Sequence, residues 1–166
     1  MEIVLDKNIR KDILEALFTK CFNQLKDSDG DNFDESNDQE FRDWFGIDYL
    51  NDCLKFCEII VVREGEEIVG GAIVGMQNPL SWPDGKKYEL FILGVLPEYR
   101  SKGVGAMIMK KVEEISKVNG AESIILNTHE LMSSTQRFYK NLGYTEMGTL
   151  KGYYGNGSAV FLIKKL

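Results

Sequence analysis

The stretch YELFILGVLPEYRSKGVGAMIMKKVEE, Tyr88 to Glu114, carries the spacing most directed toward chemistry. An apolar β-like run ends at Pro97, and a loop with Gly103 and Gly105 leads straight into an amphipathic pattern. A helix entered this way aims several free N–H groups and its positive dipole end at one point, which suits a phosphate. Glycines there let the backbone approach a ligand that a Cβ would block. Arg100 and Lys102 add positive charge in a chain that is otherwise acidic. A G-x-G alone fits a plain strand-to-helix turn equally well. The dinucleotide fingerprint would need a third glycine where Ile108 stands, and no Walker A loop is present.

A second candidate is DSDGDNFDESND, Asp27 to Asp38. Asp27, Asp29 and Asp31 occupy positions one, three and five of a calcium loop. The sixth position, where a sharp turn needs glycine, is Asn32, and Asp38 is too short for the bidentate glutamate of the twelfth. Calcium is therefore disfavoured, and no metal is expected. From Asp27 to Asp43 there are eight acids and one base, so this segment carries −7 while the whole chain carries −6. A solvated connector and an electrostatic guide for a cationic ligand both fit such a segment.

The remaining chemistry-bearing residues are few. His129, the only histidine, follows an apolar run in NTHE and reads as a surface-loop residue. Cys21, Cys53 and Cys57 form an odd set without C-x-x-C, the last two within the helix-like CLKFC. They read as reduced core thiols of a cytoplasmic protein. Net charge disfavours nucleic acid as a partner. No basic-then-apolar leader opens the sequence, and no apolar run is long enough to span a membrane.

These residues need a frame to hold them. With 166 residues, 43% of them hydrophobic, the chain suits one domain over 1–166 with a core of its own. EIVL reads as a first strand, and Ile13, Leu14, Leu17, Phe18 and Cys21 mark one face of a helix. A second helix is expected after Ser36, carrying Phe41, Trp44, Phe45, Leu50 and Leu54. EIIVVREGEEIVGGAIVGM reads as a hairpin around Glu64-Gly65-Glu66, and NPLSWPDG as a loop before the run KYELFILGV. Val104, Met107, Ile108, Val112, Ile115 and Val118 repeat at helical spacing up to Asn119-Gly120. SIILN then reads as a strand, SSTQRFYKNLG as a short helix, and two strands around Gly155-Asn156-Gly157 close the chain. The pattern is α/β in the α+β sense, with antiparallel hairpins at both ends and one β-α-β crossover between them.

Val95, Pro97, Arg100, Gly103 and Gly105 together make V-x-P-x-x-R-x-x-G-x-G. This resembles motif A of the GNAT superfamily of acetyl-coenzyme A-dependent N-acetyltransferases. RFYKNLGY is similar to a second segment of that family, through Phe138, Tyr139, Gly143 and Tyr144. The element order fits throughout, although residues 1–57 match in order only. The resemblance implies a mixed, mostly antiparallel sheet of about seven strands flanked by about four helices. It implies that the backbone of Arg100, Ser101, Lys102, Gly103, Val104, Gly105 and Ala106 cradles the pyrophosphate of acetyl-coenzyme A. Gly94 would mark a bulge in the fourth strand, where Leu93, Gly94 and Val95 pair with the pantetheine arm. Tyr139 would be the general acid beside the leaving thiolate. Glu89 would be the base, sharing a buried face with Phe91 and Leu93.

Two departures from the pattern stand out: Met132 where a pantetheine-holding Asn is frequent, and Thr135 where a small Ala is usual. Trp44, Phe45 and Trp82 are candidates to line an acceptor pocket. The implied reaction is direct acetyl transfer to a primary amine, with a cationic small molecule as the leading acceptor. GYYGNGSAV resembles the paired tyrosines of ribosomal-protein N-terminal acetyltransferases, so a peptide α-amine or a lysine is the alternative acceptor. A non-catalytic acyl-coenzyme A sensor is the alternative of another class.

Overall fold

The computed structural model describes residues 1–23, 55–76, 86–154 and 157–166. The acidic segment, the expected second helix, Cys53, Trp44, Phe45, Trp82 and most of the last turn lie outside the described residues.

Seven strands form, the inner ones from β-branched and apolar runs with buried faces and the edge strand at the C-terminal side largely exposed. These are β1 (Glu2–Leu5), β2 (Cys57–Glu64), β3 (Glu67–Met76), β4 (Lys87–Val95), β5 (Ser123–His129), β6 (Thr145–Tyr154) and β7 (Gly157–Lys165). They make one sheet in the order β1-β2-β3-β4-β5-β7-β6, antiparallel throughout except for the parallel pair β4–β5. The described helices are α1 (Lys11–Asn23), α2 (Val104–Val118) and α3 (Ser133–Asn141). The parallel step requires the crossover that α2 supplies between β4 and β5.

Period-2 alternation sends side chains to opposite sides of the sheet. Ile60, Val62, Ala72, Tyr88 and Leu90 pack with Val104, Ile108, Met109 and Val112 of α2 and with Tyr139 of α3. Ile59, Val61, Ile73 and Ile92 pack with Leu14, Leu17, Phe18 and Cys21 of α1. The α2 helix stops as the sequence predicts: Gly120, at φ 80°, follows Asn119, whose N–H returns to Ile115. Val118, expected on the core face, is instead exposed beside this end. The expected helix-like reading of CLKFC fails at its last residue: Cys57 opens β2 and is buried against α1's side of the sheet. Cys21 and Cys57 are both free thiols. Among the described residues, no helix is long and apolar enough to cross a membrane.

Candidate active site

The site begins where pairing between β4 and β5 ends. Only Lys87–Ser123, Tyr88–Ile124 and Glu89–Ile125 stand in register. Beyond them β4 follows β3 to the pair Gly70–Val95, and β5 follows β7 to the pair His129–Ala159. The strands therefore fork. N–H and C=O groups of Leu90–Val95 that point away from β3 have no partner in β5, which suits an extended, amide-bearing ligand bound like an added strand.

A bulge accompanies the fork, but not where the sequence suggests. Ile73 opposes Ile92 and Val74 opposes Leu90, so Phe91 is the extra residue. Phe91 and Ile92 consequently both face α1, while Leu93 faces α2. Glu89 and Leu93 thus lie on opposite faces, which corrects the expectation of a shared one. Gly94 pairs regularly with Gly71. Its glycine answers to α1 instead: a Cβ would stand 3.0 Å from Cβ and Sγ of Cys21 and from Cδ1 of Phe18.

After β4 a 3-10 turn, Pro97–Tyr99, leads into the loop before α2. Ser101 and Gly103 both have positive φ, 58° and 82°. A Cβ on Gly103 would meet nothing within 4 Å, so its backbone angle, not a contact, calls for glycine. The N–H of Met107 bonds the Gly103 carbonyl at 3.0 Å, so those of Val104, Gly105 and Ala106 precede the first helical bond. No side chain caps this end. Ser101, Lys102, Gly103 and Ala106 are exposed. Donors and dipole thus open to solvent as an anion site, and a pyrophosphate fits it.

Two members of the expected cradle have other duties. Gly105 lies against α3, where a Cβ would stand 3.2 Å from Cζ of Phe138. Arg100 turns inward: Nη2 donates to the Cys21 carbonyl at 2.7 Å and Nε to the Val95 carbonyl at 3.2 Å. It ties the last turn of α1 to the end of β4. Val104 is buried in the core, and only its backbone faces the loop.

Tyr139 is 5% exposed, with its ring centroid 5.0 Å from Phe138 and 5.8 Å from Tyr144. Burial pushes its phenol well above the ordinary range, and Tyr154 adds to the shift. Glu89 is half-buried on the α1 side. Its charge, after burial, helps to raise the phenols of Tyr153 and Tyr154.

The sequence reading missed Asn127. It lies on the outer half of β5, two residues before His129, and Tyr154 donates its hydroxyl hydrogen to Asn127 Oδ1. His129 is also corrected: it ends β5, half-buried, with its ring centroid 5.3 Å from Tyr154. Its Nδ1 accepts the Leu131 N–H at 3.2 Å, and burial lowers its pKa against the pull of Glu130. Met132 stands at the start of α3 and gives no side-chain cap. Among the described residues, no three His, Cys, Asp or Glu side chains gather as a metal site.

A sheet forked in this way beside a helix entry can hold an extended, phosphate-bearing ligand, and the Acetyltransferase (GNAT) family model matches residues 13–144. The chain belongs to that family. An N-alpha-acetyltransferase of Sulfurisphaera tokodaii is 30% identical over 79 residues, a match covering 47% of each chain. The PaiA N-acetyltransferase from Thermoplasma acidophilum, solved with coenzyme A, superposes with TM-score 0.79 at 18% identity over the whole of both chains. The ribosomal-protein-S18-alanine N-acetyltransferase from Escherichia coli gives TM-score 0.64 at 14% identity, covering 99% of this chain and 94% of that one. The chain spans about half the length, or less, of the curated relatives it matches.

Proposed function

We propose that the chain is an acetyl-coenzyme A-dependent N-acetyltransferase that moves the acetyl group directly to a primary amine. The observation that carries this reading is the β4–β5 fork opening beside the uncapped start of α2. A ligand with an extended amide arm and a pyrophosphate end uses both features at once. On this reading the backbone from Arg100 to Ala106 holds the pyrophosphate, and the main chain of Leu93, Gly94 and Val95 pairs with the pantetheine. Acetyl-coenzyme A supplies the activated acetyl group. A β4 N–H would serve as donor to the acetyl oxygen where negative charge develops.

Tyr139 protonates the departing thiolate, a role that fits a phenol kept neutral by burial. Glu89 takes the proton that the attacking nitrogen must lose. A cationic acceptor is supported by the local charge of the acidic segment and by the charge of Glu89, whose field reaches Tyr153 and Tyr154. Among the described residues, the free and buried Cys21 and Cys57 support a reducing, cytoplasmic setting.

A peptide α-amine is the second reading. It is favoured by Tyr153 and Tyr154, with ring centroids 5.1 Å apart at the end of β6, and by the N-alpha-acetyltransferase relative. Thermal shifts with acetyl-coenzyme A, coenzyme A and NAD test the class first. Thiol release with spermidine, lysine and short peptides then tests the acceptor. A shift with NAD alone, or none with either coenzyme A form, would sink the reading.

A further inference from the structure

We propose that Asn127 is a positioning residue for the acceptor, holding Tyr154 so that its phenol accepts a hydrogen bond from the incoming amine. This rests on the acetyltransferase reading above and adds how the amine is recognised.

Asn127 lies on β5 two residues past the last pair with β4, opposite Phe161 of β7. Leu126 before it packs on the α2 side, so Asn127 points to the α1 side, as Glu89 does. The end of β6 folds over β7 to reach this place: Tyr153 packs its ring 5.6 Å from Phe161, and Tyr154 reaches Asn127. A polar pair therefore stands at the mouth of the fork, on the side away from the α2 loop.

A phenol has one hydrogen to donate. Tyr154 commits it to Oδ1 of Asn127. Toward any other group it presents only lone pairs, so it welcomes N–H donors and disfavours carboxylates and carbonyls. An amine or ammonium meets that requirement, and Glu89 supplies a nearby negative charge. A serine or threonine hydroxyl at position 127 would leave the direction of the bond open, because both hydroxyls rotate. An amide oxygen or a carboxylate fixes it. The fork is then flanked by two phenols of opposite use, Tyr139 as donor to sulfur and Tyr154 as acceptor from nitrogen.

The test compares Asn127→Leu, Asn127→Asp, Tyr154→Phe and the Leu/Phe double variant, with spermidine and glycyl-glycinamide as amine probes. Asn127→Leu and Tyr154→Phe should each raise the acceptor KM roughly tenfold, the scale of one lost hydrogen bond. Turnover should stay within about twofold and the acetyl-coenzyme A KM should not move. The double variant should match Tyr154→Phe rather than multiply the singles, since Asn127 acts only through the Tyr154 hydroxyl. Asn127→Asp, still an acceptor, should restore KM. A wild-type KM in Asn127→Leu, or full multiplication in the double variant, overturns the proposal.

Loss of the underlying reading would look different, as no thiol release from any variant. The ring carbon signal of Tyr154 in protein labelled with 13Cζ-tyrosine still decides the pair in that event. It should move in Asn127→Leu and hold in Asn127→Asp, and an unmoved signal in the Leu variant overturns the proposal.

Discussion

Gly105 lies so close to Phe138 that a Cβ would stand 3.2 Å from the ring's Cζ, so this glycine joins α2 to α3. Gly103, two residues earlier, has open space around it and a φ of 82°. Valine should therefore act differently at the two positions. Gly103→Val carries backbone strain of about 1–2 kcal/mol and should abolish the thermal shift from coenzyme A. Gly105→Val should add an overpacking cost of about 1–3 kcal/mol and lower the melting temperature more. Equal affinity for coenzyme A in Gly103→Val and wild type would remove the pyrophosphate cradle.

Tyr139 and Glu89 are assigned the two proton transfers, and each has a minimal variant. Tyr139→Phe removes only a hydroxyl, so turnover should fall on the order of 10-fold to 1000-fold with coenzyme A affinity retained. Because burial raises this phenol, the wild-type rate should show no loss from its ionisation below about pH 10. Glu89→Gln should move the rising limb of the profile to higher pH, where the amine is neutral without help. Wild-type turnover in the first variant or an unmoved profile in the second would reassign that residue to packing.

His129 predicts a pH dependence of stability. Burial depresses its pKa below the usual 6.5, so the unfolded chain takes up this proton first as pH falls. Its contribution is flat above 6.5, declines as pH drops through that value, and levels once the folded imidazole also protonates. Protonation removes the acceptor for the Leu131 N–H as well. Glu130, whose carboxylate is held below its usual 4.5 by bonds from Ser158, titrates beneath this window. Melting temperatures at pH 7 and pH 5 should diverge less in His129→Gln than in wild type. An equal fall in both would show that His129 contributes no slope.

The acidic segment yields a prediction from charge alone. Changing Asp29, Asp31, Asp34 and Glu35 to amides should raise the KM for spermidine and flatten its dependence on salt. Steering of that kind fades once the screening length shortens to about 8 Å near physiological ionic strength. The KM for acetyl-coenzyme A should not change. Unaltered spermidine kinetics would mark the segment as a solvated connector.

What the sequence disclosed was mostly local. The turn before β3 and the glycine stop after α2 depend on residues within a few positions, and each stands where the pattern puts it. The bulge at Phe91 depends on how β4 registers against β3, which no run of residues in β4 encodes by itself. The same holds for Gly94 and Gly105, whose neighbours come from α1 and α3. Arg100 reads as a phosphate ligand because its charge is visible in sequence, whereas the two carbonyls it bonds are not. Asn127 stayed hidden because its meaning comes from Tyr154, twenty-seven residues away.

The three pairs Lys87–Ser123, Tyr88–Ile124 and Glu89–Ile125 are the only strand ladder, among the described residues, between β1–β4 and β5–β7. Mechanically, the sheet is two half-sheets joined by a short seam at one end. A ligand paired along both inner edges of the fork would act as a strut between the halves. Amide exchange should then slow along both inner strands together when coenzyme A is added, including residues of β5 that touch no part of the pyrophosphate loop. On the proposed reading the cofactor fills a missing length of sheet, and occupying it should stiffen the protein across its whole width.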